Sequence, residues 1–470
     1  MTTPPSPSLT LGDDTIAALA TPAGTAALAL IRVSGGRCRS LAAAIFKADP
    51  AALPERRYRH SDYRAPGGDV LDDVVWSYGA GPGTFTGEDT LEICTHGNPL
   101  IVQLVLADLF GRGCRAAEAG EFTRRAFLNG RMELTQAEAV MDMIHARSER
   151  ALVAAQQQLR GGLGRHLEEL IAALLGVLAR IEAYIDFPDE DLPAEDRQLV
   201  RSALVDVLRG TERLLATHRY GDLLRDGLKT VLLGAPNAGK SSLLNALVGR
   251  DRAIVSPEPG TTRDFIEERV HVGPHLLRLI DTAGLNPAPG PVERMGMAKT
   301  VERLAEADLI LWVTDASRAP EAPPGELKPY LGAGLVLQVR NKADLGVYSA
   351  PAAVEGASSP ALLPTFIVSA LNGTGLEELR AAIVARADAL RPAMAGDEHI
   401  AINARHADAL RRARESLAAA DTGLRAEVPA PIELVASDIR GALDALGEVA
   451  GRVDNERMLD ALFATFCIGK

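Results

Sequence analysis

Cysteine is scarce in this chain and never paired: Cys38, Cys94, Cys114 and Cys467 stand singly among 470 residues. Without a C-x-x-C pair there is no disulfide framework to expect, and a reducing compartment, the cytoplasm, is the expectation. The opening residues, MTTPPSPSLTLGDD, lack a basic n-region and an apolar h-region, so they read as a short disordered tail and not as a leader. No run of about 18 apolar residues occurs, which predicts a soluble protein with no membrane contact. A basic excess is missing too. Lys and Arg number 50 against 62 Asp and Glu, a formal charge of −12, so electrostatics alone cannot coat nucleic acid with this chain. Any RNA contact must use a local basic patch or a partner. Cys467 lies four residues from the end, but glycine follows Ile468 and lysine is last, so the prenylation pattern fails.

Core-forming material is ample. Apolar residues make up 47% of a length that predicts two or three domains. From Asp14 to about Leu128 short β-rich runs, Ala26 to Val33 and Val74 to Tyr78, mix with a helix-like stretch from Pro99 to Phe110, predicting an α+β domain over residues 1–129. A boundary is expected at Asn129-Gly130, and Thr135 with Glu138 reads as a capping box opening a long helical segment. Leu152, Leu159, Leu163, Leu167, Leu170, Leu174 and Ile181 recur at spacings compatible with one helix face, and helix-like sequence continues from Arg197 to His218. This first helical part spans 130–224.

A nucleotide module follows over 225–389, and helical pattern resumes over 390–470, where Ile432, Val435, Ile439, Leu443, Leu446 and Val449 form one stripe. The helices on the two sides of the module are expected to pack together, so that the module is an insertion into a helical domain. The acidic run Asp186-Phe187-Pro188-Asp189-Glu190-Asp191 reads as a solvated loop between helices and not a metal site. Ser317 to Glu326 and Leu345 to Pro364, rich in Ala, Pro, Gly and Ser, read as loops without chemistry.

The module's identity rests on three motifs in order. Gly234 to Ser241 read GAPNAGKS. Gly234 and Gly239 allow the tight turn that aims backbone N–H groups at phosphates, Lys240 adds a point charge, and Ser241 holds Mg²⁺. An apolar run, Leu228 to Leu233, precedes this loop as a strand, and Ser242 to Leu247 follows it as a helix, with Asn237, Ala238 and Ser242 completing the phosphate contacts. Asp281-Thr282-Ala283-Gly284 follows the strand-like Leu276 to Ile280 and can take a metal-bound water. Asn341-Lys342-Ala343-Asp344 follows Leu335 to Val339. Asp344 can accept two hydrogen bonds from a purine that carries both an N1–H and a 2-amino group, and that purine is guanine. Val368-Ser369-Ala370, with Leu371 next, supplies the remaining base loop.

Two features depart from the simplest such switch. Leu285 follows Asp281-Thr282-Ala283-Gly284 where a water-orienting glutamine can stand, and an aliphatic side chain cannot orient water, so Glu293 and Arg294 become the polar candidates. Asn237 sits inside the phosphate loop. Its carbonyl either ligates a monovalent cation beside the β and γ phosphates, or the residue merely tolerates the loop's backbone. The segment Ser256-Pro257-Glu258-Pro259-Gly260-Thr261-Thr262-Arg263-Asp264 lies where a nucleotide-sensing switch belongs, with Thr262, then Thr261, as the hydroxyl that completes Mg²⁺ coordination.

Across nearly its whole length, from Asp14 to Lys470, the chain resembles the bacterial and organellar tRNA modification GTPases of the MnmE (TrmE) type. The resemblance rests on Asp14-Thr15-Ile16, Ile31-Arg32-Val33-Ser34-Gly35, Phe85-Thr86-Gly87-Glu88-Asp89, His96-Gly97, Gly120-Glu121-Phe122-Thr123, Ala126-Phe127-Leu128-Asn129, Gln136-Ala137-Glu138-Ala139, Asp186-Phe187-Pro188 and the closing Phe466-Cys467-Ile468-Gly469-Lys470.

It implies a multidomain α+β and α/β fold: an N-terminal α+β domain that binds 5-formyl-tetrahydrofolate or methylene-tetrahydrofolate and mediates homodimerisation, and a helical domain split by a Ras-like P-loop G domain. It implies a FAD-dependent partner, MnmG (GidA), in a heterotetramer or larger complex. Together the two place an aminomethyl or carboxymethylaminomethyl group at C5 of the wobble uridine of certain tRNAs, with K⁺ activating hydrolysis as G domains associate. By matching position the resemblance makes Asn237, Ser256, Glu258 and Thr261 K⁺ ligands, Ser241 and Thr262 Mg²⁺ ligands, and Glu293 the organiser of the attacking water. Arg32, Glu92, Arg131 and Lys470 fall at the folate positions; a lysine can occupy the place of Arg131, and the two cations differ in reach and hydrogen-bond geometry. Cys467 is then either a thiol near the folate pocket or a small residue packing the C-terminus.

Two other classes compete. A ribosome-assembly or RNA-binding GTPase switch shares the phosphate loop and Leu285, but neither a G-x-x-G clamp in suitable context nor a second phosphate loop is found. A folate-dependent one-carbon transferase merely regulated by GTP is the other.

Overall fold

The computed structural model describes residues 14–50, 53, 56–186, 194–249, 267–281, 302–331, 334–348, 363–391, 400–426, 430–451 and 456–469. It divides into two compact units, residues 1–141 with 447–470 and residues 142–446.

The first unit is built on a six-stranded sheet. In chain order its strands are β1 (Ile16–Leu19), β2 (Leu28–Ser34), β3 (Arg59–Arg64), β4 (Val70–Gly79), β5 (Thr90–His96) and β6 (Arg115–Ala116). Their order is β3-β4-β5-β2-β1-β6, antiparallel except for the parallel β1–β6 pair. Alternation in β2 sends Ala29, Ile31 and Val33 to a core shared with α1 (Cys38–Phe46) and α2 (Pro99–Gly111), where Leu41, Ile45, Val105 and Leu109 close the layer. Phe46 stacks on Trp76 at 4.3 Å between ring centroids. Ile16 and Ala18, on alternate positions of β1, meet Ala117 and the fully buried Phe122 of α3 (Glu121–Leu128) in a separate cluster. The C-terminal segment belongs to this unit: Leu459, Phe463 and Phe466 pack on Leu134 and Ala137, and Ile468 bridges to Ala119.

The second unit joins long helices to a second six-stranded sheet. The helices are α5 (Glu149–Leu159), α6 (Gly162–Asp186), α7 (Ala194–Ala216) and α8 (His218–Asp226). The helix Ala404–Arg425, which follows the sheet in sequence, lies against α7, with Arg201 Nε 3.0 Å from Asp421 Oδ1. Arg440, on the helix Ile432–Ala450, reaches Glu182 of α6 at 2.8 Å. Helices on both sides of the sheet-bearing segment therefore pack together. The sheet strands are β7 (Leu228–Leu233), β8 (Glu267–Val272), β9 (His275–Asp281), β10 (Leu309–Asp315), β11 (Val336–Asn341) and β12 (Thr365–Ile367), in the order β12-β11-β10-β7-β9-β8 with only β8 antiparallel. Near-continuous burial of β7 and β10 is what a parallel sheet covered on both faces requires. No helix among the described residues is long and apolar enough to cross a membrane.

Two expectations are corrected. The helix α4 (Leu134–His145) begins one residue before Thr135, so Thr135 is not its cap; Glu133 precedes the helix, and its N–H donates to the side chain of Gln136 at 2.9 Å. The leucine stripe does not lie on one helix, because Gly161 takes a left-handed φ of +79° between α5 and α6 and resets the phase. As a result Leu152 is exposed and α5 buries Ala151, Ala154 and Ala155 instead, while Leu163, Leu167, Leu174 and Ile181 do form the inner face of α6. The helix expected over Ser242 to Leu247 is present and spans Lys240–Val248.

Candidate functional site

Every nucleotide motif that is described falls at the carboxyl edge of the second sheet. The phosphate loop leaves β7 and enters α9 (Lys240–Val248), and Asn341 ends β11 beside Asp315 at the end of β10. Parallel strands open their loops on this side, where doubly wound sheets bind ligands. Gly234 packs so tightly on β10 that a Cβ would lie 2.2 Å from the Val313 carbonyl oxygen. Gly239 turns with φ +93°, and a Cβ there would meet Asn341 Nδ2 at 2.3 Å. Close contact thus requires glycine at both positions, and the left-handed backbone requires it at Gly239 as well. Asn237 has φ +63°, the left-handed region that Asn accepts more readily than most residues, and it is exposed. Lys240 Nζ lies 3.0 Å from the Gly234 carbonyl and 3.1 Å from that of Ala235, held across the mouth of the loop. Ala238 is buried, while Ser241 and Ser242 are exposed.

Asn341 links two of these loops. Its Nδ2 donates to the Gly239 carbonyl at 3.2 Å and its Oδ1 accepts from the Ala370 N–H at 3.0 Å, so one amide ties the phosphate loop to the loop after β12. Ser369 Oγ donates to Asp344 Oδ1 at 2.5 Å, and the Ala343 N–H donates to the Val368 carbonyl at 3.0 Å. Lys342, left-handed at φ +67°, points its ammonium to Asp315 Oδ2 at 2.9 Å. Burial works against ionising Asp315, but hydrogen bonds from Lys342 and Ser317 outweigh it and bring its pKa down to about 2. Leu371 is exposed beside this cradle. Asp315 was missed by the motif reading; an acid ending an otherwise apolar strand, Leu309 to Thr314, was the available signal.

Ser256, Pro257, Glu258, Pro259, Gly260, Thr261, Thr262, Thr282, Ala283, Gly284, Glu293 and Lys470 lie outside the described residues, as does the side chain of Asp281. So do residues 187–191 of the acidic run.

A second constellation sits in the first unit. Arg32 on β2 and Glu92 on β5 are register partners, and Arg32 Nη2 donates to Glu92 Oε1 at 3.1 Å. The guanidinium lies 5.8 Å from the Phe85 ring centroid and 5.9 Å from that of Phe122, and Nη1 is 3.4 Å from the Gly469 carbonyl. Arg131 Nε donates to the Thr84 carbonyl at 3.2 Å. Arg32, Glu92 and Arg131 therefore gather around the loop 80–89, with the residue before Lys470 against Arg32. Gly469 turns with φ +89°, and a Cβ there would stand 2.4 Å from the Leu19 carbonyl oxygen, so the chain end runs close over β1. Cys467 is exposed.

Several of the signature residues hold this loop through ion pairs among themselves. Arg125, almost wholly buried, donates to Asp14 Oδ1 at 2.8 Å, Glu121 Oε1 at 3.0 Å and Glu88 Oε2 at 3.1 Å. Arg115 joins Asp14 and Glu121, and Ser34 Oγ donates to Glu88 Oε2 at 2.7 Å. For Asp14 and Glu121 burial opposes ionisation, yet the arginine hydrogen bonds win and lower both pKa values. A buried guanidinium shared by three carboxylates fixes geometry, because removing Arg125 would leave the partly buried Glu88 and Glu121 without it.

Comparison with known proteins places the chain. The model described as "MnmE helical domain" matches residues 134–467, and "GTP-binding protein TrmE N-terminus" matches residues 15–131. A protein of Opitutus terrae named tRNA modification GTPase MnmE is 55% identical over 97% of this chain and 99% of its own. Proteins of the same name from Symbiobacterium thermophilum and Aquifex aeolicus are 43% and 40% identical, each over at least 97% of this chain and 99% of its own length.

Proposed function

The chain belongs to the MnmE family of tRNA modification GTPases, a GTP hydrolase that acts in tRNA modification, and from that premise we propose that its nucleotide cycle drives modification of the wobble uridine at C5. The transferred group would be aminomethyl or carboxymethylaminomethyl. The reaction would use a FAD-dependent partner of the MnmG type, in the cytoplasm, with this chain as a homodimer. One observation carries the nucleotide half of the reading. The bridge through Asn341 and the pair Ser369–Asp344 sets a base cradle at a fixed distance from the phosphate loop.

In this reading Asp344 accepts from the guanine N1–H and amino group, and the Ala370 N–H, steadied by Asn341, lies at the purine's edge. Backbone N–H groups from Asn237 to Ser241 and the Lys240 ammonium hold the phosphates. Ser241 and Thr262 would hold Mg²⁺. Asn237, whose carboxamide makes no hydrogen bond to any described group, would join Ser256, Glu258 and Thr261 around K⁺. Bound there, the two cations would neutralise charge developing on the transferring phosphoryl group. Glu293 orients the attacking water, a task closed to Leu285.

The constellation around Arg32 suits a folate. Glu92 can accept from the N–H and amino donors of a pterin, and Arg32 offers a planar cation between two aromatic rings. A bound folate would supply the one-carbon unit; Arg131 and Lys470 provide positive charge for its glutamate tail. Hydrolysis assays in matched K⁺ and Na⁺ buffers test the cation assignment. At least tenfold faster turnover in K⁺ is expected, with Glu293→Ala slowing kcat and leaving GTP affinity near wild type. Equal rates in the two salts would remove the K⁺ ligands from the account.

A further inference from the structure

RNA contact by a chain of charge −12 needs a local cationic surface, and the first unit has one at the edge of its sheet. Residues 56–60 read Arg-Arg-Tyr-Arg-His, all exposed, leading into the edge strand β3. Tyr58 is 76% exposed, the most exposed aromatic ring among the described residues. Arg57 has no ion-pair partner among those residues. Arg59 lies over the Trp76 ring at 5.9 Å, which leaves its charge uncompensated, and only His60 is paired, with Asp73 at 2.8 Å.

A second observation gives this row a direction. Arg56 takes a left-handed φ of +56°, unusual for a side chain of its size. The conformation is held at two points: its N–H donates to the Tyr78 carbonyl at 2.8 Å, and its Nη2 donates to the Gly83 carbonyl at 2.6 Å. Gly83 precedes Thr84, whose carbonyl accepts from Arg131, and lies two residues before Phe85, the half-exposed ring over Arg32. One loop is thus clamped from the cationic row on one side and from the folate constellation on the other.

We propose that the row Arg57-Tyr58-Arg59 receives a single-stranded RNA loop of the substrate tRNA, with Tyr58 stacking on an unpaired base and the arginines on flanking phosphates. Duplex RNA offers no unstacked base, and its deep, narrow major groove shuts side chains out, whereas loops offer both faces and edges of bases. The anchored Arg56 ties that surface to the loop that also contacts Arg131 and Arg32, so a nucleotide held on the row lies beside that loop. This rests on the reading of the chain as acting on tRNA. Charged residues on an edge strand also discourage edge-to-edge pairing, a role that requires no RNA.

The test is fluorescence anisotropy on the full-length protein, with an anticodon stem-loop RNA carrying an unmodified wobble uridine and a blunt RNA duplex as separate probes. Tyr58→Ala is expected to weaken stem-loop binding roughly tenfold, within the range for loss of one stacked base, and to leave the duplex unchanged. Arg57→Ala should reduce the slope of log affinity against log salt by about one contact, near 0.7 for a single strand. GTP hydrolysis and thermal midpoint should match wild type in both. Wild-type stem-loop affinity and salt slope in both variants would overturn the proposal and leave the row as edge protection. Failure of the tRNA reading itself would register differently, as wobble uridines that are normal in cells without the protein.

Discussion

Asn341 is 1% exposed, and its carboxamide faces two loops that arrive from different strands. Replacing either end of that bridge would leave a buried donor or acceptor unpaired, a penalty of about 1–3 kcal/mol in a site that excludes water. Its neighbour Asp344 is the residue where chemistry can be redirected without disturbing the fold, since it is exposed and its one described side-chain partner is Ser369. Asp344→Asn replaces an acceptor with a donor. The variant is expected to lose GTP affinity by roughly 100-fold and to gain affinity for xanthosine triphosphate, whose 2-oxo group accepts where guanine's amino group donates, as titration with the two nucleotides would register. Unchanged preference for GTP would remove Asp344 from base recognition. This residue was legible in the sequence because guanine's donor pattern dictates an acid at that spacing. For Asp315 only its place at a strand end was legible; its pairing was not, because that depends on Lys342 adopting a left-handed backbone and turning back across the sheet edge.

The β8–β9 hairpin is an element whose surroundings the sequence hid. Its turn is pinned to α5 and to the helix Leu376–Ala389: the Arg150 N–H donates to the Pro274 carbonyl at 3.3 Å, His271 Nε2 lies 2.6 Å from the Arg147 carbonyl, and His275 Nε2 lies 3.0 Å from Asp388 Oδ1. Val270, Val272, Leu277 and Leu279 share a core with Ala151 and Ala154 of α5, so hairpin and helix are packed as one body. Such contacts between segments more than 100 residues apart leave no local pattern. By contrast β7 and α9 were readable, because a buried apolar run followed by a glycine loop and a helix is specified locally.

His275 gives this hairpin a measurable signature. It is 1% exposed, and burial outweighs the acceptor Asp388, so its pKa lies below the usual 6.5. The folded state then binds fewer protons than the unfolded one, and its stability contribution is complete above pH 6.5 and lost as pH falls from there toward the lowered folded value. Between pH 7.5 and 5.5 the wild-type thermal midpoint should therefore fall further than that of His275→Gln, which can retain a donor to Asp388. Parallel falls in the two proteins would show that His275 is not buried as the neutral form.

Across the whole molecule, periodicity announced helices on both sides of the nucleotide module, and those helices do meet through Arg201–Asp421 and Arg440–Glu182. What periodicity could not announce was the break at Gly161 or the closing of the chain end over β1, since each depends on a single glycine's backbone angle. The signature residues Asp14, Glu88, Glu121 and Arg125 were visible as a pattern, but their function as a buried ion network emerged only when three distant segments came together. The two candidate sites follow from this organisation, the loops at the carboxyl edge of the sheet in one compact unit and the Arg32–Glu92 constellation beside Gly469 in the other. The central claim is that GTP hydrolysis in the first is required for uridine modification linked to the second. Nucleoside mass spectrometry of tRNA from cells lacking the protein, complemented with wild type or with Lys240→Ala, tests it most directly. The account predicts undermodified wobble uridine that wild type restores and Lys240→Ala does not; full modification in the uncomplemented cells, or full restoration by Lys240→Ala, would contradict it.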